Sequence, residues 1–266
     1  MPTLAVDDLS LHYTDTARAA PPLVFIHGLG SSGRDWAPQV EALDPTFRVL
    51  TCDLRGHGHT DKPDGPYSIA QMARDVAVWL RKVDAAPAHL VGLSMGGMVT
   101  YDLLAHTPAV ARSATIINSV PGAELSGLGD YAFYWSRRGA VQALGLRRAG
   151  RILARKLFVK PSQETLRTQF VARWAENDKA AYLASIDGIV GWSVEDRLPD
   201  IAHPVLVLAS NDDYTPVSAK RKHVRAMPNA RLAVVADARH ALPVERPDVV
   251  NALIRAFVER VEQQAA

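Results

Sequence analysis

With 266 residues, 30 lysines and arginines against 28 aspartates and glutamates, and 48% apolar content, the chain is sized for one well-buried core and carries a formal charge of +2. Its single cysteine, Cys52, excludes an intrachain disulfide framework, and the near-neutral balance argues against nucleic acid as the main partner. Residues 1–8 lack the basic and apolar regions of a secretory signal. The longest charge-free stretch, 17 residues from Ala85 to Tyr101, is too short for a membrane span, so a soluble cytoplasmic protein without stable membrane insertion is expected.

In chain order, residues 4–6 and 9–13 predict an antiparallel edge hairpin turning at Asp7-Asp8. Short, mostly uncharged, β-branched-rich runs follow at 23–26, 49–51, 90–93, 114–117, 205–209 and 232–235. Strands buried on both faces have this composition, which predicts a parallel sheet. Helix-length segments at 36–43, 69–83, 95–105 and 248–263 separate or follow them. The alternation predicts an α/β, doubly wound, mostly parallel sheet. Residues 121–199 break the rhythm with helical patterns and the aromatics Tyr131, Phe133, Tyr134 and Trp135. We therefore expect a core of residues 1–120 and 200–266 with a helical cap, 121–199, inserted in it.

The strongest local signal is Gly92-Leu93-Ser94-Met95-Gly96-Gly97, between a strand pattern and a helix pattern. In that context G-x-S-x-G is a nucleophile elbow: a strained turn lifts the serine hydroxyl above the sheet at a helix N-terminus. A serine needs a base. His240 follows the last strand and so lies at a strand's C-terminal end, where open α/β sheets bind ligands. The base needs an orienting acid. Asp212 and Asp213 both follow the 205–209 strand, and the pattern alone leaves the choice between them open. An oxyanion hole is the remaining requirement. The turn His27-Gly28-Leu29-Gly30 ends an early strand, making the backbone N–H groups of Leu29 and Met95 the expected donors. His57-Gly58-His59 has no acidic or cysteine ligand cluster beside it, so no metal is expected.

These features together resemble the α/β-hydrolase fold superfamily over essentially the whole chain. His27-Gly28-Leu29-Gly30 looks like its oxyanion loop, Asp53-Leu54-Arg55-Gly56-His57-Gly58 resembles its D-x-R-G-x-G turn, and His240 with Glu245-Arg246-Pro247 resembles its H…E-R-P run. Asp212 stands four residues before Pro216, as the family's triad acid usually does, which favours it over Asp213. The elbow is particularly similar to those of β-ketoadipate enol-lactonases and small serine carboxylesterases. The resemblance implies a cofactor-free hydrolase of a carboxylic ester, lactone or thioester, with Ser94, Asp212 and His240 catalytic. Alternatives on the same fold are a receptor-like ligand-binding protein or a non-hydrolytic enzyme.

Residues 131–160 carry eight basic residues and no acid, against a balance of −6 for the rest of the chain. At about 100° per residue, Arg147, Arg148, Arg151 and Arg155 share one helix face, opposite Leu146, Ala149, Leu153 and Leu157. Such a face could receive an anionic partner such as a carboxylate substrate, a CoA ester or an acyl-carrier protein. Tyr131, Trp135 and Arg151 are the expected substrate-binding residues.

Overall fold

The computed structural model describes residues 2–65, 67–124 and 127–265. Strands β1 (Thr3–Val6) and β2 (Leu9–Asp15) form the expected antiparallel hairpin, with Asp7 turning the corner at φ 50°. The other strands are β3 (Pro22–Ile26), β4 (Arg48–Cys52), β5 (Ala88–Leu93), β6 (Ala111–Ile117), β7 (Val205–Ser210) and β8 (Ala230–Val235). They make one sheet in the order β1-β2-β4-β3-β5-β6-β7-β8. Pairing is antiparallel across β1, β2 and β4 and parallel from β4 to β8. The chain therefore steps outward from β3 to β4 and returns past β3 to β5. That reversal opens a crevice at the C-terminal ends of β3 and β5.

Side-chain alternation divides the strands between two cores. Val24, Ile26, Leu50, Cys52, Leu90 and Ile116 face one side, where they pack with α2 (Ile69–Lys82) and α3 (Met95–His106). Leu23, Phe25, Val49, Val91, Ile117 and Leu208 face the other, against α1 (Ala37–Leu43) and, near the C-terminus, α9 (Pro247–Ala265). Each such fully buried Leu, Ile, Val or Phe stabilises the fold by about 1.5–3 kcal/mol. Local signals agree with this burial. Ser68 caps α2 by accepting from the Gln71 N–H at 3.2 Å, and Arg81 and Lys82 occupy its last turn.

Between β6 and β7 the chain makes a helical excursion: α4 (Leu128–Leu157), α5 (Glu164–Trp174) and α6 (Lys179–Ile189). An isolated bridge between Gly122 and Ser193 draws its two ends together. It has its own apolar cluster, including Val141, Leu146, Ala149, Trp174, Tyr182 and Ile186, against which Leu29 of the β3 loop also packs. α4 kinks at Gly145 (φ 73°) and runs on through Gly150, whose missing side chain leaves room for Trp174 to pack against the helix. Leu146, Ala149 and Leu157 are buried while Arg147, Arg148, Arg151 and Arg155 are exposed, as the periodicity predicts. After β7 come α7 (Val217–Ala226) and, beyond β8, the single turn α8 (Leu242–Glu245). Among the described residues, no helix is long and apolar enough to cross a membrane.

Candidate active site

Ser94 joins β5 to α3 with φ 54° and ψ −116°, a strained conformation for a residue other than glycine. The flanking glycines make this turn possible. A Cβ on Gly96 would lie 2.1 Å from the Ile26 carbonyl oxygen, and one on Gly92 would lie 2.3 Å from the Gly96 carbonyl oxygen. Strand, helix and the end of β3 thus meet at van der Waals limits, holding Ser94 in the crevice. The Ser119 hydroxyl adds a bond to the Ser94 carbonyl at 2.7 Å.

The β3 loop is fixed by His27. Its Nε2 accepts from the Leu54 N–H at 2.9 Å, so Nδ1 carries the proton and donates to the Gly28 carbonyl at 2.8 Å. Burial lowers the His27 pKa, with Asp53 opposing, and the neutral ring is the form this pair of bonds requires. The D-x-R-G-x-G turn supports the same loop. Asp53 accepts from the Gly33 and His59 N–H groups at 2.7 and 2.8 Å, and Arg55 forks onto Asp75 at 2.8 and 3.0 Å. Leu29 consequently sits beside Ser94, and both line the same two cavities. Met95 is the first residue of α3, whose N–H has no acceptor within the helix.

His240 lies beyond β8, held from several directions. Asn118, at the end of β6, donates to the Arg239 and His240 carbonyls, both at 3.1 Å, while its own oxygen accepts from the Ser210 N–H at 2.8 Å. Glu245 accepts from the Arg239 N–H at 2.6 Å, and Arg246 donates to the Ala236 carbonyl at 2.9 Å. The E-R-P run therefore clamps the histidine loop. Tyr214 stacks on the imidazole with ring centroids 4.3 Å apart.

The structure corrects the choice of acid. His240 Nδ1 donates to Asp213 Oδ1 at 2.6 Å, whereas Asp212 is exposed. Adjacent side chains in this loop point opposite ways, and Lys220, a fully buried residue of α7, draws Asp213 inward at 2.6 Å. Burial alone would raise the Asp213 pKa. The hydrogen bond and charge of His240, followed by Lys220, outweigh it and hold the carboxyl down to about 2. The carboxylate thus stays ionised through the neutral range, and His240 keeps Nε2 free of the Asp213 bond. Because the folded-state pKa lies below the ordinary 3.8, the stability this provides is full above about pH 4 and is lost as pH falls toward 2. Lys220→Met is accordingly expected to cost about 3 kcal/mol in urea unfolding at pH 7 and to move the acid-unfolding midpoint upward. An unchanged midpoint would show that Lys220 does not hold the acid.

Cavities of about 110 and 450 Å³ share Leu29, Ser94, Arg137, Tyr214 and His240. The smaller is walled by apolar side chains such as Leu153, Phe170 and Trp174. Tyr131 and Trp135, expected at the substrate, are instead 47% and 57% exposed and line neither cavity. α4 is rotated so that Tyr134, Arg137 and Val141 form its inner face, at the i, i+3, i+7 spacing. Arg151 is exposed too, lining a separate groove with Arg147, Arg155 and Arg167. Sequence reasoning missed Asn118, Lys220 and Arg137, none of which belongs to a local motif. Among the described residues, no group of three or more His, Cys, Asp or Glu could hold a metal ion.

A profile of the α/β hydrolase fold matches residues 21–247. A protein of Azorhizobium caulinodans named as a carbamate hydrolase, RutD, is 28% identical across 99% of this chain and 100% of its own length. One of Mycobacterium tuberculosis named as a non-heme bromoperoxidase, BpoC, is 31% identical across 96% of this chain and 99% of its own. The solved enol-lactonase of Burkholderia xenovorans superposes with a TM-score of 0.88 at 28% identity, covering 97% of this chain and 100% of that one. The profile match over most of the chain, together with the sheet order and the elbow, establishes that this chain belongs to the α/β hydrolase fold family.

Proposed function

We propose that the protein is a serine hydrolase that cleaves a carboxylic ester or lactone of a small molecule through an acyl-enzyme on Ser94. The observation that carries this reading is the convergence of the strained Ser94 elbow and the Asp213–His240 pair on shared cavities at the sheet's C-terminal edge. His240 Nε2 removes the hydroxyl proton as Ser94 Oγ attacks the carbonyl carbon, and returns it to the leaving alkoxide. The Leu29 and Met95 N–H groups receive the oxyanion. Water, activated by the same imidazole, then attacks the acyl carbon and restores the free serine. Residues 121–199 act as a cap, since α4 and α5 supply walls to the cavity around Ser94. The solved enol-lactonase and the relative named as a carbamate hydrolase are consistent with carbonyl hydrolysis, while the bromoperoxidase name shows that the framework alone does not choose the substrate. The test is release of p-nitrophenolate from p-nitrophenyl acetate and butyrate by wild type and Ser94→Ala. A burst and turnover are expected only from wild type. Equal rates from both would overturn the acyl-enzyme.

A second feature bears on partners. Arg147, Arg151 and Arg155 line an exposed groove whose acid, Glu164, is already bonded to Arg167. This favours an anionic carrier on the ester, such as a CoA or acyl-carrier-protein thioester. Turnover of an acyl-carrier substrate should then fall steeply with salt, and by at least about tenfold in the triple Arg→Glu variant at these positions. Unchanged kinetics in that variant would exclude the groove from recognition.

A further inference from the structure

Arg137 sits at the junction of both cavities with Ser94 and His240, yet has no carboxylate within ion-pair distance among the described residues. Its neighbour Arg138 shows the contrast, being paired with Asp187 at 2.9 Å. None of the acids on the cavity walls pairs with Arg137. Asp213 is bonded to His240 and Lys220, Asp35 to Arg173 and Ser31, and Glu124, on the exposed rim, is not paired with Arg137. The guanidinium is nevertheless held in place. Its Nε–H donates to the Tyr182 hydroxyl at 2.8 Å, and it lies over the rings of Trp174 and Tyr182, 5.6 and 6.0 Å from their centroids. Tyr182 is itself fully buried. With Nε used, the terminal amino groups remain as donors.

A guanidinium stays charged, and a cation beside an apolar wall is costly without a counter-ion. Its planar fork matches a carboxylate in both charge and shape. We infer that Arg137 receives a free carboxylate on the substrate, so that the molecule cleaved at Ser94 is an ester or lactone bearing an acid group a few bonds from the scissile carbonyl. This inference rests on the hydrolase reading above and narrows its substrate class. Tyr182 and Trp174 act as positioning residues that hold the guanidinium.

The test compares p-nitrophenyl monoesters of succinate, glutarate and adipate with the neutral butyrate, valerate and caproate esters of the same chain lengths. Wild type should favour at least one acid ester over its neutral counterpart in kcat/KM. Arg137→Met should lower that acid-to-neutral ratio by at least about 30-fold, with Arg137→Lys falling between. A ratio within threefold of wild type in a folded Met variant would overturn the inference. If Arg137→Met fails to fold, the Lys variant decides, since loss of the fork must still lower the ratio. A second readout separates this inference from the hydrolase reading. Glutarate binding, measured by calorimetry on Ser94→Ala, should weaken at least tenfold when Arg137→Met is added. Binding that depends on Arg137 beside equal ester rates in wild type and Ser94→Ala would retain the carboxylate site and overturn the acyl-enzyme. Glutarate binding that ignores Arg137 would overturn the site alone.

Discussion

Ser94→Ala is expected to lower kcat for an activated ester by about 10⁵- to 10⁶-fold while leaving the fold intact. The size follows from the division of labour at the site. Without Oγ no covalent bond to the acyl carbon can form, and His240 has no hydroxyl proton to take. Residual hydrolysis, about 10³- to 10⁴-fold above water, would come from the oxyanion donors and the cavity walls. Alanine also removes no packing, because Ser94 is held by its backbone and by Gly92 and Gly96 rather than by its hydroxyl. Thermal unfolding should therefore match wild type within a few degrees, and stopped-flow or discontinuous assays of p-nitrophenolate give the rate. A loss below about tenfold would mean that another group is the nucleophile.

The second large effect discriminates between two adjacent acids. Asp213→Asn should lower kcat by about 10⁴-fold, because an amide in that position favours the wrong imidazole tautomer and leaves the developing imidazolium without its counter-charge. Asp212→Asn should stay within about threefold of wild type, since Asp212 is exposed and makes no bond to His240. Parallel steady-state kinetics on the two variants settle the matter. A larger loss from Asp212→Asn would return the role to the residue that family spacing favours.

The fold was legible because its signals are local and repeated. Short β-branched runs announce a parallel sheet, and each run found its strand, with Leu23 and Val24 dividing between the two cores as period-two geometry requires. Burial on both faces fails for the 232–235 run, because β8 is an edge strand and leaves Val234 45% exposed. The placement of Ser94 and His240 beyond the C-terminal ends of β5 and β8 was legible for a related reason: each sits in a motif whose neighbours explain it, the elbow glycines in one case and the E-R-P clamp in the other. Which acid faces His240 was not, because Asp213 pairs through space with Lys220, a contact that the spacing to Pro216 does not reveal. The cavity-facing side of α4 was not legible either. A block of aromatics marks a helix but not its rotation, and the kink at Gly145 separates the phase of Tyr134 and Arg137 from that of the basic face downstream. In the sequence Arg137 is one of eight basic residues between 131 and 160, with nothing local to set it apart. Only the tertiary structure distinguishes it, by bringing Tyr182 and Trp174 under its guanidinium.

The acyl-enzyme is the central claim, and it can be trapped. Rapid acid quench of wild type with excess p-nitrophenyl butyrate, followed by intact-mass and peptide mass spectrometry, should show one butyryl group on the peptide containing Ser94, and none in Ser94→Ala. Turnover with no adduct at any time point under conditions where deacylation limits the rate, or an adduct on a different residue, would contradict it.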